Sequence, residues 1–127
     1  MNLRNRRAAI MAQDAGYPDQ PLNENLIDTV RSGYVVDTTD GTLTSNSNGR
    51  YTDYIPVYPG RTYKCTKFSN RPGYLGRYDI NKNFISGSDI SSSSTYTNVY
   101  PSEQNGYRYI RWSATSGSGS LSVVRTA

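Results

Sequence analysis

From about residue 30 onward, turn-forming residues regularly interrupt every apolar stretch, and this is the feature that most limits the fold. Segments such as GYVVD, TYKCTKF and YRYIRWS are five to seven residues long, and Gly, Pro, Asn, Asp and Ser stand between them. Stretches of this length at a spacing of about ten residues are typical of short strands joined by tight turns. We therefore predict about eight or nine strands that form an all-β domain, a single β-sandwich of jelly-roll type.

The first part of the chain has a different composition. Residues 1–16 are compatible with a short helix, but they carry too few apolar side chains to hold one alone. Residues 17–29, YPDQPLNENLIDT, contain two prolines and several turn formers, which predicts an extended connector. We divide the chain into an N-terminal arm and linker, residues 1–29, and a β-sandwich domain, residues 30–127. A basic arm of this kind is suited to docking, and a disordered terminus is the alternative.

Tyrosine dominates the aromatic residues, with 12 Tyr against 2 Phe and 1 Trp. The stretch YTDYIPVYPGRTY carries four of them. A tyrosine ring can cover a core while its hydroxyl reaches water, which suits a thin two-layered domain. We predict that most of these rings are architectural and that one or two are exposed. The alternation in YRYIRWS puts Tyr107, Tyr109 and Arg111 on one strand face and Ile110 and Trp112 on the other, so Trp112 is predicted to lie in the core.

The composition argues against catalysis. The chain has no histidine, which removes the usual general base and the commonest transition-metal ligand. Its one cysteine, Cys65, excludes an internal disulfide and is predicted to be a buried structural thiol. The acidic residues stand mostly in predicted turns and do not form the facing carboxylate pair of a glycosidase. We expect no enzyme activity and no cofactor. A calcium site at Asp37, Asp40 and Asp89 is a weak alternative to simple turn capping.

Several ordered segments resemble a known kind of module. GYVVDTTDG, YTDYIPVYPGRTY, GRYDINKNFIS and NGYRYIRWS, within residues 33–125, are similar to a β-sandwich module of tailed-bacteriophage virion proteins, found in tail fibres, baseplates and head fibres or decorations. The same module resembles carbohydrate-binding sandwiches. The resemblance implies a structural or adhesive role and attachment through a segment outside the sandwich. On this chain the attachment residues would be Leu3, Arg4, Arg6, Arg7, Ile10 and Met11.

Sugar binding has a physical basis in the tyrosines and their polar neighbours. A pyranose presents a weakly apolar CH face that stacks on an aromatic ring, while its hydroxyls bind to amides, carboxylates and guanidinium groups. For each tyrosine the alternative is packing across strands. The candidate glycan-binding residues are Tyr54, Tyr58, Tyr74, Arg77, Asp79, Tyr107, Tyr109 and Arg111.

The net charge of +4 gives a further function class, nucleic-acid binding, for which YRYIRW has a suitable mixture of rings and arginines. Scattered acidic residues interrupt any basic track, so we expect no nucleic-acid partner. The sequence also lacks an apolar stretch of membrane-spanning length, and we expect no membrane partner.

The combined prediction is a non-enzymatic virion structural protein, assembled in the host bacterial cytoplasm. Its partners would be other virion proteins of the capsid or tail and a surface glycan. We expect a homo-oligomer on the particle. A free carbohydrate-binding module or lectin is the alternative.

Overall fold

A computed structural model describes residues 16–115 and 119–127. No helix occurs among these residues, so the prediction of an all-β domain is confirmed for the described part of the chain. The described strands are β1 (Val30–Val36), β2 (Leu43–Thr52), β3 (Ile55–Pro56), β4 (Tyr63–Lys67), β5 (Gly73–Tyr78), β6 (Phe84–Ile90), β7 (Tyr96–Val99), β8 (Tyr109–Ala114) and β9 (Leu121–Arg125).

The strands form two antiparallel sheets. The larger has the order β1-β2-β8-β5-β6, with the short β3 paired to β8, and the smaller has the order β7-β4-β9. Strand β8 is therefore bonded to β2, β3 and β5 and is the central strand of the larger sheet. Proline in β3 fits this position, because Pro56 lies at a sheet edge where its missing N–H removes no inner ladder bond.

The core lies where the inner faces of the two sheets meet. β8 contributes Ile110 and Trp112, both fully buried, and β4 contributes Tyr63 and Cys65 from the opposite sheet. The Trp112 indole N–H donates a 3.0 Å hydrogen bond to the Thr66 carbonyl on β4, which ties the two sheets together. The predicted core positions of Trp112 and Cys65 are thus confirmed.

A second, smaller packing layer covers part of the outer face of the larger sheet. The hydroxyl of Tyr78 is buried and donates to the Gly41 carbonyl at 2.6 Å. Gly76 lies beneath this ring, and a Cβ there would come within 2.6 Å of the Tyr78 hydroxyl oxygen. The backbone N–H of Val36 donates to the Ser113 hydroxyl, so the end of the β1–β2 hairpin folds over the sheet.

The hairpin predicted around NKN is confirmed, since β5 pairs with β6 and Lys82 adopts a left-handed conformation with φ of 64° in the turn. The prediction that SGSDISSSS is a loop is wrong for its first part, because β6 continues to Ile90. A segment rich in serine and glycine is predicted to be a loop when only its composition is considered. Here β6 is an edge strand, and it needs little apolar surface on its open side.

Residues 17–29, predicted to be an extended connector, lie along the edge of β9, with a turn at residues 23–24 where Asn23 has a φ of 58°. The Asn23 N–H donates to Arg125 O at 2.8 Å, and the Leu26 N–H donates to Val123 O at 2.7 Å. The Asn25 side chain accepts from the Val123 N–H at 3.1 Å, and Leu26 and Ile27 pack against the core. The connector thereby covers the unpaired edge of the smaller sheet.

One glutamine anchors the start of this segment. Gln20 Oε1 accepts hydrogen bonds from the Tyr63 hydroxyl and, at 3.1 Å, from the guanidinium group of Arg61. Arg61 is 2% exposed, and it also donates to Pro18 O at 2.7 Å. A guanidinium group this deeply buried depends on such acceptors.

Replacing Gln20 with alanine leaves two buried donors without this acceptor. We expect Gln20→Ala to lower the free energy of unfolding by about 1–3 kcal/mol, measured by urea denaturation. Gln104→Ala is the matched control, because Gln104 is exposed in a turn, and it should change stability by less than about 0.5 kcal/mol. Equal stability of the two variants would show that the connector is not anchored through Gln20.

Burial raises the pKa of the Cys65 thiol to about 12. Because the thiolate is the reactive form, Cys65 should be inert to thiol reagents at pH 8 in the folded protein and react promptly in denaturant. In a Cys65→Ala background, the exposed variant Ser91→Cys should react at once. Since the folded pKa lies above the ordinary value of 9.0, the thiol's contribution to stability is complete below pH 9 and is lost as the pH rises towards 12. Fast labelling of the native wild-type protein at pH 8 would contradict the buried position.

Candidate functional site

The structure does not bring the predicted glycan-binding residues together in one place. Tyr54, Tyr109 and Arg111 share the outer face of the larger sheet. Arg77 and Tyr107 meet on the inner side, where the two sheets diverge. The remaining candidates, Tyr58, Tyr74 and Asp79, lie apart from both groups.

The outer face carries a band of alternating rings and cations, which we call the aromatic band and define as Tyr51, Tyr54, Lys82, Tyr109 and Arg111. The Tyr54 and Tyr109 rings meet edge to face with centroids 6.1 Å apart. The Lys82 ammonium lies 5.2 Å from the Tyr54 centroid and 5.3 Å from that of Tyr109. Cation–π contacts of this kind stabilise the face by roughly 0.5–2 kcal/mol each.

Arg111 is the central cation of the aromatic band, and its side chain is only 14% exposed. Its Cζ lies 4.2 Å from the Tyr54 centroid and 5.8 Å from that of Tyr51. The Nη2 atom of Arg111 lies 4.0 Å from Asp53 Oδ1. The two oxygens of the same carboxylate also accept hydrogen bonds from Nε and Nη2 of Arg31. The hydrogen bond from Arg31 is the main reason that the pKa of Asp53 lies below its usual range. Arg111 is thus held by ring contacts and by the charge of Asp53, while its buried Nε atom has no hydrogen-bond partner among the described residues.

Two of the other glycan-binding candidates, Asp79 and Tyr58, are engaged in contacts that stabilise the fold. Asp79 accepts from the backbone N–H groups of Asn83 and Asn81, at 2.9 and 2.8 Å, and these bonds lower its pKa. Asp79 is therefore a turn cap. Tyr58 is stacked against Tyr17 with ring centroids 5.1 Å apart, so its face is covered by the connector.

Tyr74 stands alone among the candidates. It lies partly exposed on β5, opposite Ser113 of β8 and Asp89 of β6. Its backbone carbonyl accepts from the Ser113 hydroxyl at 2.9 Å, and none of the described residues contributes a ring contact to it.

One concave feature of the described residues is a cleft of about 370 Å³ between β5, the end of β7 and the segment that precedes β8. We call it the inter-sheet cleft. Its lining includes two of the predicted residues, and none of the described residues that form its wall is acidic. The lining residues are Arg77, Asn98, Val99, Tyr100, Asn105 and Tyr107.

Strand alternation explains how Arg77 reaches this cleft. Arg77 stands opposite Ile110 in the β5–β8 ladder, so it shares the inner face with the core residues Ile110 and Leu75. Its guanidinium group donates to the Ser88 hydroxyl at 2.9 Å and lies 5.6 Å from the centroid of Tyr107. An arginine at the end of an inner face can keep its stem in the core and its charge in water.

The prediction that Tyr107 shares a strand face with Tyr109 and Arg111 is wrong. β8 begins only at Tyr109, and Tyr107 precedes it in a stretch shaped by Asn105. The Asn105 side chain accepts from the backbone N–H of Tyr107 at 3.1 Å and donates to Tyr100 O at 2.8 Å. The alternation of the strand does not extend into this turn, so the Tyr107 ring lies beside Arg77.

Sequence reasoning missed Tyr100, Asn98 and Asn105 as site residues. Tyr100 is 60% exposed, more than any candidate tyrosine. Its position could have identified it as a binding candidate, because it lies directly after β7 and before Pro101, in a turn with an Asn-Gly pair. Loops at strand ends carry binding residues in many β domains.

A smaller pocket of about 120 Å³ lies between the connector and the β2–β3 segment, and its wall includes Leu26, Ile27, Asp53 and Tyr54. It is formed by the docking of the connector.

The described residues contain no cluster of His, Cys, Asp or Glu that is suited to a metal ion. The calcium candidates bind protein groups. Asp37 and Asp40 accept hydrogen bonds from Thr39 and Thr42 in the turn between β1 and β2, and Asp89 on β6 accepts one from the Thr38 hydroxyl. Within the same residues no helix is long and apolar enough to cross a membrane. The predicted attachment residues Leu3, Arg4, Arg6, Arg7, Ile10 and Met11 lie outside the described part of the chain.

Comparison with protein-family models, curated proteins and solved structures finds no match to this chain. The resemblance to virion modules therefore stays a prediction from the sequence.

If the aromatic band is architectural, loss of Arg111 should destabilise the protein. We expect Arg111→Ala to lower the free energy of unfolding by about 1–2 kcal/mol, because it removes two ring contacts from a largely buried stem. Arg31→Ala is the control, since its side chain is 52% exposed and solvent screens its ion pair with Asp53, so its loss should change stability much less than that of Arg111. A thermal or urea melt that gives both variants wild-type stability would show that the band does not stabilise the fold.

Proposed function

We propose that this chain is a non-enzymatic glycan-binding β-sandwich of jelly-roll type that serves as a structural protein of a tailed-bacteriophage virion. In this proposal the inter-sheet cleft holds the sugar. Residues 1–29 attach the sandwich to a capsid or tail protein, as a decoration, head fibre or baseplate component. The observation that carries the binding role is the combination, in one concave site, of the exposed Tyr100 ring with amide and guanidinium donors.

The chemistry of the cleft suits a pyranose. Tyr100 offers an exposed ring on which a sugar CH face can stack, and the guanidinium of Arg77 can bind hydroxyl oxygens. Asn105 is held in place by its own bonds to Ser102 and Tyr107, so one wall of the cleft is rigid before a ligand arrives. A site that is formed in advance loses less conformational entropy on binding.

The virion role is supported by the resemblance and by the docked connector. Because residues 20–26 are bonded to the body of the domain, an attachment through the first residues would hold the sandwich in a defined orientation. Many copies on one particle would make weak single sites effective through multivalency, which fits the expected homo-oligomer. A free carbohydrate-binding module or lectin remains the alternative, and the cleft alone would serve it equally well.

The binding role is tested on a glycan array with the full-length protein and two variants. Tyr100→Ala should weaken binding at least about tenfold, because it removes the stacking surface. Tyr96→Ala is the matched control, as Tyr96 is 49% exposed but lies outside the cleft, where Lys64 covers it. Binding that survives in Tyr100→Ala, or no binding of any glycan by the wild type, would refute the cleft as a sugar site.

The virion role has a separate test. Purified particles should contain this chain at a fixed copy number, and deletion of residues 1–16 should release it from the particle without loss of folding. Tight monovalent glycan binding by a chain that never accompanies particles would favour the free lectin.

A further inference from the structure

Arg77 is a partly buried cation in the inter-sheet cleft, and the described groups that contact its guanidinium group are neutral. Its Nη2 atom donates to the Ser88 hydroxyl at 2.9 Å, its Nη1 atom is 3.5 Å from the Ser86 hydroxyl, and its plane lies over Tyr107. Among the residues that the structure describes, no carboxylate comes within 4.0 Å of it.

Three other arginines differ from Arg77, because each of them lies close to a carboxylate. Arg31 and Arg111 share the carboxylate of Asp53, and Arg108 contacts Glu103 at 3.3 Å. A guanidinium that is partly removed from water and has only hydroxyl partners gains more from an incoming anion than one that is already paired.

Arg77 also has donors to spare. A guanidinium carries five N–H groups, and only two of its nitrogen atoms are engaged here, each by a single serine hydroxyl. The described residues provide no hydrogen-bond acceptor for Nε. A guanidinium group with an unused Nε–H next to a partly used Nη group can bind a carboxylate with two parallel hydrogen bonds.

We propose that the inter-sheet cleft selects acidic sugars, with the carboxylate of the sugar bound by Arg77 and its ring stacked on Tyr100. The ligand class is a glycan that contains a hexuronic or sialic acid. This inference rests on the proposed glycan-binding function and specifies the substrate of that site. The absence of acidic residues from the lining described above means that the sugar carboxylate meets no like charge within the cleft.

The test compares acidic glycans with matched neutral ones. A glycan array and isothermal titration calorimetry would present oligogalacturonate against its methyl ester, sialylated glycans against their desialylated forms, and a sulfated neutral oligosaccharide. Wild-type protein should bind one of the acidic forms about tenfold to hundredfold more tightly than its neutral partner, as expected for charge-assisted hydrogen bonds. The preference should weaken with rising salt concentration.

The variants separate a specific contact from general charge. Arg77→Gln removes the cation and should bring the acidic and neutral forms to equal affinity. Arg71→Gln makes the same change of charge in the exposed loop between β4 and β5, outside the cleft, and should keep the preference. Circular dichroism and a thermal melt of each variant establish that it is folded. If Arg77→Gln does not fold, Arg77→Lys should reduce the preference without abolishing it, because lysine cannot form the paired hydrogen bonds.

The possible failures are distinct. Neutral glycans that bind through Tyr100 as tightly as their acidic partners would overturn the acidic specificity and leave the proposed function standing. An equal loss of preference in Arg71→Gln, or tighter binding of the sulfated glycan than of any carboxylate, would also overturn the assignment to a carboxylate on Arg77. No binding of any glycan would refute the proposed function itself.

Discussion

The register of β8 is the constraint on which the rest of this structure depends. Residues alternate between the two faces of a strand, so one choice of register directs Ile110 and Trp112 into the core and Tyr109 and Arg111 to the outside. Because β8 is bonded to β2, β3 and β5, a slip by one residue would exchange these sets across the centre of the larger sheet. The Trp112 hydrogen bond to Thr66 fixes the same register from the opposite sheet, since only an inward indole can reach it.

Tyrosine and arginine residues lie close to both faces of the larger sheet around β8. The burial of each side chain and its charged partners decide its role. On the outer face Arg111 is enclosed by rings and lies 4.0 Å from the carboxylate of Asp53, although its buried Nε has no hydrogen-bond partner among the described residues. On the inner face Arg77 reaches the cleft with hydroxyl neighbours alone. Residue types were therefore a poor guide to the site, because the same ring and guanidinium combination stabilises one surface and leaves the other available to a ligand.

Much of the fold followed from local patterns in the sequence, and the parts that did not follow depend on long-range contacts. The alternation around Trp112, the turn at Lys82 and the buried position of Cys65 could be read directly, because each is determined by neighbours in sequence. The extension of β6 through a serine-rich segment could not, since it depends on pairing with β5. The candidate site was predicted only in part. Arg77 and Tyr107 were identified, but the turn that brings them together with Tyr100 is set by Asn105, whose side-chain bonds no periodicity describes.

The docked connector has a mechanical consequence. Leu22 is bridged in parallel to Arg125, and Gln20 is bonded through its carbonyl to the Arg125 side chain. Tension that enters the chain at residue 17 therefore reaches the bonds between the connector and β9 before it reaches β1 and the larger sheet. A load arriving by that route acts first on one border of the smaller sheet.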